Sequence, residues 1–259
     1  MHTETIISAT NPKIRNLLLL QEKSKARREQ GLFVVEGSRE LDHCIEAGFR
    51  VHTVFCCPEI APVIPGLTGN LIQVPEALYR KIAYREGTEG IVAEVEARHI
   101  GLEDLELPEN PLIVVLEAVE KPGNLGAVLR SADAAKADAV IVCDPLTDLY
   151  NPNLIRASIG AIFTVPTVAA SSEETIKFLK AKGVQILTAQ LQDSSLYYDV
   201  DMRRGTAIVM GTESTGLTDV WRRTADAHIR IPMLGRLDSL NVSVSASILL
   251  FEAVRQRMP

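Results

Sequence analysis

The chain has no apolar run long enough to cross a bilayer. Its longest, at residues 111–118 and 137–143, are far shorter than the roughly 18–20 residues a membrane-spanning helix needs, so no membrane association is expected. The first residues, MHTETIISATNPKIRN, lack a basic segment leading into an apolar core and a small-residue cleavage site. A secretory signal is therefore not expected, and the cytoplasm is the default location. No C-x-x-C pair occurs among the four cysteines, Cys44, Cys56, Cys57 and Cys143, which are read as free, mostly buried thiols. The five histidines, His2, His43, His52, His99 and His228, show no H-x-x-x-H or similar spacing. A metal site has little support, and structural or surface roles are expected for them. Positive charge is also scarce: the formal net charge of −6 counts against holding nucleic acid through bulk electrostatics.

What is present is a chain of 259 residues, 46% hydrophobic, long enough for a substantial core in one large domain or two modest ones. Two basic stretches stand against the acidic total. EKSKARREQG carries Lys23, Lys25, Arg27 and Arg28, and YRKIAYREG interleaves Tyr79, Arg80, Lys81, Tyr84 and Arg85. Basic residues with aromatics between them can neutralise phosphates and stack bases, although solvated helix faces explain each stretch equally simply.

Element signals divide the chain. Asn11-Pro12 starts a helix that runs through Leu17 and Leu20 to Gly31. LFVVEG reads as a strand, SRELDHCIEAG as a helix capped by Ser38 and closed by Gly48, and VHTVFCC as a strand. NLIQV, the helical PEALYRKIAYREG and the alternating GIVAEVEA complete a small α/β domain over residues 1–98. RHIGLEDLELPENP, acidic and proline-bearing, reads as a linker at 99–111. From 112 to 259, apolar strands alternate with helical patterns, ending in NVSVSASILLFEAVRQRM. That alternation predicts an α/β domain with a mostly parallel sheet covered on both faces.

In such a sheet, ligands sit beyond the carboxyl ends of the strands, which directs attention to PGNLGAVLRS after the strand LIVVLEAV. A dinucleotide fold needs G-x-G-x-x-G there, but Gly123 and Gly126 give G-x-x-G, and no G-K-[ST] follows for a phosphate loop. Asn124 at the helix start is either a cap or a substrate contact. Arg130, six residues on, is either a surface charge or a group that reaches a phosphate or hydroxyl from the helix flank. Two later stretches matter as well: AIVMGTESTGL, and IPMLGRLDSLNVSVSASILLFEA, where Ser239 or Asn241 is placed to cap the last helix. The small and β-branched residues of that helix suit close backbone packing against other protein better than a simple amphipathic role.

Together, in this order, the three stretches resemble the signature motifs of the SpoU (TrmH-type) RNA ribose 2′-O-methyltransferases of the SPOUT superfamily. N-L-G-A-V-L-R-S-A-D resembles the first, G-T-E-S-T-G-L the second and I-P-M-x-G-x-x-x-S-L-N-V-S-V the third. FVVEGSRELDHCIEAG is similar to the substrate-binding domain many members carry, a fold shared with certain RNA-binding ribosomal proteins. The resemblance implies a deep trefoil knot, S-adenosylmethionine as cofactor, a homodimer through the knot region, and structured RNA as substrate, rRNA before tRNA. By motif, Gly211, Ile231 and Leu240 match cofactor-binding positions, with Thr188 and Met233 as neighbours. Asn124, Arg130, Glu213, Ser239 and Asn241 match positions tied to catalysis or site architecture. Ser214 departs from the pattern, because the family often has glycine there.

No histidine falls within the three stretches, so an imidazole base has no candidate. A guanidinium stays protonated throughout the physiological range. The expected role of Arg130 is therefore to orient phosphate and stabilise developing alkoxide charge. The Glu213 carboxylate either takes part in proton removal or accepts N–H bonds at a loop or helix start.

Overall fold

The computed structural model describes residues 3–61, 69–84, 89–212 and 215–258. The chain divides into two compact units, Met1–His99 with Asp148–Thr164, and Ile100–Thr147 with Val165–Pro259.

In the first unit, β1 (Thr3–Thr5), α1 (Pro12–Glu22), α2 (Ser24–Gln30), β2 (Leu32–Glu36), α3 (Ser38–Glu46), β3 (Val51–Cys56), β4 (Asn70–Gln73), α4 (Glu76–Ile82) and β5 (Ile91–Glu96) follow in order. The five strands are ordered β1-β4-β3-β5-β2. Asn11 caps α1 as its sequence predicts, accepting from the Lys13 N–H at 2.9 Å, with Pro12 in the first turn. The single helix expected up to Gly31 is two, because Lys23 is extended (φ −111°, ψ 111°) and α2 restarts after it. Nor does Ser38 cap α3. Gly37 holds that position with φ 101°, and the Ser38 N–H and hydroxyl donate to Glu89 instead. β5 is buried over nearly its whole length rather than alternating, because it lies between β3 and β2. This carries Glu94 inside, its carboxylate 3.6 Å from the His52 ring, and burial raises its pKa above the ordinary carboxylate range.

Residues 148–164, read from sequence as part of the second domain, pack in the first unit. They hold β-strand-flanking helices α6 (Pro152–Ala157) and α7 (Ala161–Thr164), broken at Ile159 and Gly160 where one helical pattern was expected. Tyr150 stacks on Phe33 at 4.3 Å between centroids, and Phe163 lies 5.9 Å from the same ring. Arg27 is buried and donates to Asp148 (2.7 Å) and to the Leu20 carbonyl (2.6 Å).

The second unit contains β6 (Leu112–Glu117), α5 (Pro122–Ala134), β7 (Ala139–Cys143), β8 (Thr167–Ala170), α8 (Ser172–Ala181), β9 (Gln185–Ala189), β10 (Ser195–Leu196), β11 (Thr206–Met210), α9 (Asp219–Thr224), β12 (Ala227–Arg230) and α10 (Val242–Arg257). Its seven-stranded sheet, ordered β10-β12-β9-β11-β6-β7-β8, is parallel at every pairing. Buried apolar residues fill β6, β7 and β11, as strands covered on both faces require. Ile113, Val115, Ile141 and Val209 pack with Ile176, Leu179 and Trp221 of α8 and α9. α10 packs against α5 and β11. Much of the stretch read as a linker joins this core: Leu105 is buried in it, with Leu102 and Leu107 packed against it. β1 and β10, of three and two residues, were not anticipated. All four cysteines are free and buried, and burial pushes the thiols of Cys44 and Cys143 up to about 12.

Candidate active site

In the second unit the chain runs from β6 through β7 to β8, then returns to lay β9 on the far side, with β11 between β9 and β6. The strand order reverses at this point, and the loops past the carboxyl ends there form the crevice where a parallel α/β sheet takes its ligand. Gly211 directly follows β11 and Ile231 directly follows β12, while Thr188 is the penultimate residue of β9, paired with Val209 and His228. Three of the expected cofactor positions thus end on three adjacent strands.

At Gly211 the chain folds back on itself. A Cβ there would lie 2.3 Å from the Gly216 carbonyl carbon and oxygen and 2.5 Å from the Leu217 nitrogen, so only glycine allows this approach. The Gly216 N–H donates to the Thr212 carbonyl at 3.1 Å, and Gly216 turns the chain with φ 68°. Glu213 and Ser214 lie outside the described residues.

From Ile231 to Leu240 the backbone belongs to no helix or strand, which leaves its peptide groups uncommitted to any ladder. Ile231 and Met233 are half-buried, and Leu240 is 38% exposed. Apolar side chains interspersed with uncommitted N–H and C=O groups fit the adenosine and methionine parts of S-adenosylmethionine, which need apolar walls and a few placed polar contacts. Thr188 is the exception, being fully buried with its hydroxyl bonded to the His228 Nδ1 at 2.6 Å.

The expected catalytic positions divide. α5 begins at Pro122, with Lys121 as its cap, so Asn124 lies inside the first turn and does not serve as the N-cap. Its Oδ1 instead accepts from the Asn241 Nδ2 at 3.1 Å. Asn241 is the N-cap of α10, its Oδ1 accepting from the Ser243 N–H (3.0 Å) and hydroxyl (2.6 Å). Seven residues beyond Asn124, on the same helix face, Ser131 bonds Ser247 of α10 at 2.7 Å. The close packing expected of the last helix is this contact with α5. Arg130 is off that face, exposed, and without an ion-pair or hydrogen-bond partner among the described residues. Ser239 is exposed and likewise unbonded among them; it does not cap α10.

The basic stretches fare unequally. Arg27 is buried and paired, and Tyr79 is buried with its hydroxyl accepting from the Gly90 N–H. Neither presents itself to a ligand. Lys23, Lys25, Arg28, Arg80, Lys81 and Tyr84 are exposed, and Arg85 lies outside the described residues. Sequence reading gave no role to Glu117, which is 4% exposed at the end of β6 and bonded to Ser172 and Thr218. Its only signal is a carboxylate ending an otherwise apolar strand.

A parallel α/β sheet whose strand order reverses beside the ends of β9, β11 and β6, with Asn124 of α5 joined to the Asn241 cap of α10, defines an α/β domain with its ligand site at the carboxyl ends of the strands. The SpoU rRNA Methylase family model matches residues 111–251, and the MRM3-like substrate binding domain matches 11–93. The chain belongs to the SpoU rRNA methylase family. Among its relatives, the 23S rRNA (guanosine-2′-O-)-methyltransferase RlmB of Bordetella pertussis is 39% identical over 71% of this chain and 78% of its own. The 23S rRNA (uridine(2479)-2′-O)-methyltransferase of Streptomyces viridochromogenes is 29% identical over 97% of this chain and 92% of its own. A crystal structure of an AdoMet-bound rRNA methyltransferase from Sinorhizobium meliloti superposes with a TM-score of 0.90 at 32% identity, covering 99% of both chains.

Proposed function

We propose that this protein is an enzyme that methylates a ribose 2′-hydroxyl of ribosomal RNA with S-adenosylmethionine. The observation that carries this reading is the Asn241–Asn124 hydrogen bond, which joins the first and third signature stretches beside the carboxyl ends of the sheet. Its context is a family whose relatives are named 23S rRNA 2′-O-methyltransferases. When bound, S-adenosylmethionine supplies an electrophilic methyl group on a sulfonium. Gly211, Ile231, Met233 and Leu240 hold it, with Thr188 supporting the strand ends from below the loops. The Asn124–Asn241 pair fixes the relative position of α5 and the loop ending at Leu240, which aligns the target ribose. Arg130, a cation with no partner in its own chain among the described residues, is available to a phosphate and to developing alkoxide charge.

The proposed division of labour gives substrate binding to residues 1–98, whose unit also takes in 148–164, and transfer to the rest of 112–259, with 99–111 between them in sequence. Lys23, Lys25 and Arg28 of the first basic stretch and Arg80, Lys81 and Tyr84 of the second are the exposed candidates for holding RNA. The knotted chain path and a homodimer belong to the same reading. Val244 and Phe251, 46% and 48% exposed and seven residues apart on one face of α10, support the dimer as the apolar stripe a second copy would cover.

The test is transfer of a labelled methyl from S-adenosylmethionine to rRNA lacking the modification, followed by digestion to nucleosides and mass spectrometry. A 2′-O-methylnucleoside is expected. A methyl on a base nitrogen would overturn the ribose assignment, and no transfer to any rRNA would overturn the activity.

A further inference from the structure

Glu117 ends β6 one residue past the last rung of its ladder with β11, where Leu116 lies opposite Met210. That places it at the level of Gly211. Its carboxylate is buried, and no lysine or arginine lies within ion-pair distance among the described residues. A buried carboxylate without a cation must be satisfied by neutral donors. One oxygen accepts from the Thr218 N–H at 2.8 Å; the other accepts from the Thr218 hydroxyl at 2.6 Å and faces the Ser172 hydroxyl at 3.2 Å. Ser172 has one hydroxyl proton, and Asp144 lies closer to it, at 2.7 Å, while Trp221 Nε1 donates to the same oxygen at 3.1 Å. Thr218 is therefore the principal partner of Glu117, gripped through both its donors.

Thr218 follows Gly216 and Leu217, the segment whose backbone rests against Gly211. From this we infer that Glu117 is a positioning residue for cofactor binding: it anchors the returning limb of the loop after β11, so that Gly211 keeps its cofactor-facing geometry. The inference rests on the cofactor reading given under Proposed function. Glu117 touches no reacting atom, so it acts on affinity and leaves the chemical step alone.

The test is calorimetric titration of the full-length protein with S-adenosylhomocysteine, alongside amide hydrogen exchange over residues 211–218 and thermal melting. Glu117→Gln puts an amide donor against the Thr218 donors, and loss of a charge-assisted bond is expected to weaken binding by about tenfold to a hundredfold. KM for S-adenosylmethionine should rise while kcat at saturation stays near wild type, and exchange at Thr218 should accelerate. Thr218→Ser keeps both donors and should bind within about twofold of wild type, whereas Thr218→Val, which loses only the hydroxyl, should weaken binding. The valine variant decides the matter if Glu117→Gln fails to fold. Wild-type affinity and unchanged exchange in Glu117→Gln or Thr218→Val would overturn the inference. Absence of binding by the wild-type protein would instead overturn the cofactor reading, and this inference with it.

Discussion

Asn241 holds two structures at once, and two substitutions separate them. Its Oδ1 caps α10 through the Ser243 N–H at 3.0 Å, and its Nδ2 donates to Asn124 at 3.1 Å. Asn241→Ala removes both. Loss of a good N-cap costs about 1 kcal/mol, and loss of the hydrogen bond about 1 kcal/mol more. A total of about 2 kcal/mol corresponds to a Tm lower by roughly 4–8 °C for a unit of this size. Asn241→Ser keeps the cap, since serine caps as well as asparagine, but lacks the amide that donates to Asn124. It should lose only about 1 kcal/mol, or roughly 2–4 °C. Activity should not follow stability. Both variants break the Asn124–Asn241 bond, so both should lose methylation, by about a hundredfold if misplacement of α5 by an ångström is the cause. Differential scanning calorimetry and single-turnover methyl transfer read the two effects separately. A serine variant as unstable as the alanine variant would refute the capping role. A serine variant with wild-type turnover would refute the role of the asparagine pair in the site.

Arg130→Ala and Arg130→Lys should each lower the methylation rate by orders of magnitude in single-turnover assays. Because the side chain is exposed and unpaired among the described residues, Tm and S-adenosylhomocysteine affinity should barely move. Gly211→Ala places a methyl 2.3 Å from Gly216 backbone atoms, which cannot move aside as a side chain would. Overpacking of this kind costs about 1–3 kcal/mol, and calorimetry should show cofactor affinity falling with it. Glu94 is raised in pKa chiefly by burial, with His52 and Lys13 opposing. The folded state therefore binds its proton more tightly, and its contribution to stability is present at low pH and lost as pH rises through the raised value. Glu94→Gln should thus be more stable than wild type at neutral pH, with the advantage disappearing in melts taken below the ordinary glutamate range. Phe251→Asp should shift the molar mass measured by light scattering from dimer to monomer.

The parallel sheet was legible because β6, β7, β9 and β11 are short apolar runs between helical patterns, and a strand covered on both faces has to read that way. The order of those strands was not, since nothing local tells β11 to enter between β6 and β9. Lys23 shows a similar limit. It has good helix propensity, yet it is extended, and beyond it Arg27 turns inward to Asp148, a partner 121 residues away. Tertiary pairing overrode the local signal and converted an apparent RNA ligand into part of the interior. Tyr79 misled in the same way, its aromatic ring being core and its hydroxyl a support for Gly90. Of the two readings open for Asn124 at its helix start, cap or contact, the cap falls to Lys121, and its bond to Asn241, 117 residues on, had no local signal. Glu117 escaped because its principal donor is Thr218, 101 residues further along.

The composition of α10 explains why the asparagines meet at all. The first turns of α10 place Ser243, Ser245 and Ser247 among smaller apolar residues and leave the large buried ones, Leu249 and Leu250, further along. Ser247 reaches Ser131 directly, at 2.7 Å, across the contact with α5. Helices packed through leucines stand about 8–10 Å apart at their axes, and small residues are what bring backbones nearer. Asn124 and Ser131 face α10 two turns apart, so the same approach that closes the serine pair also brings the start of α5 to the cap of α10. A bulkier residue at Ser247 would separate the helices where they touch and lengthen the Asn124–Asn241 bond without altering either asparagine. The small-residue pattern of the last helix is in this sense part of the site, because it sets the distance on which the proposed alignment of the ribose depends.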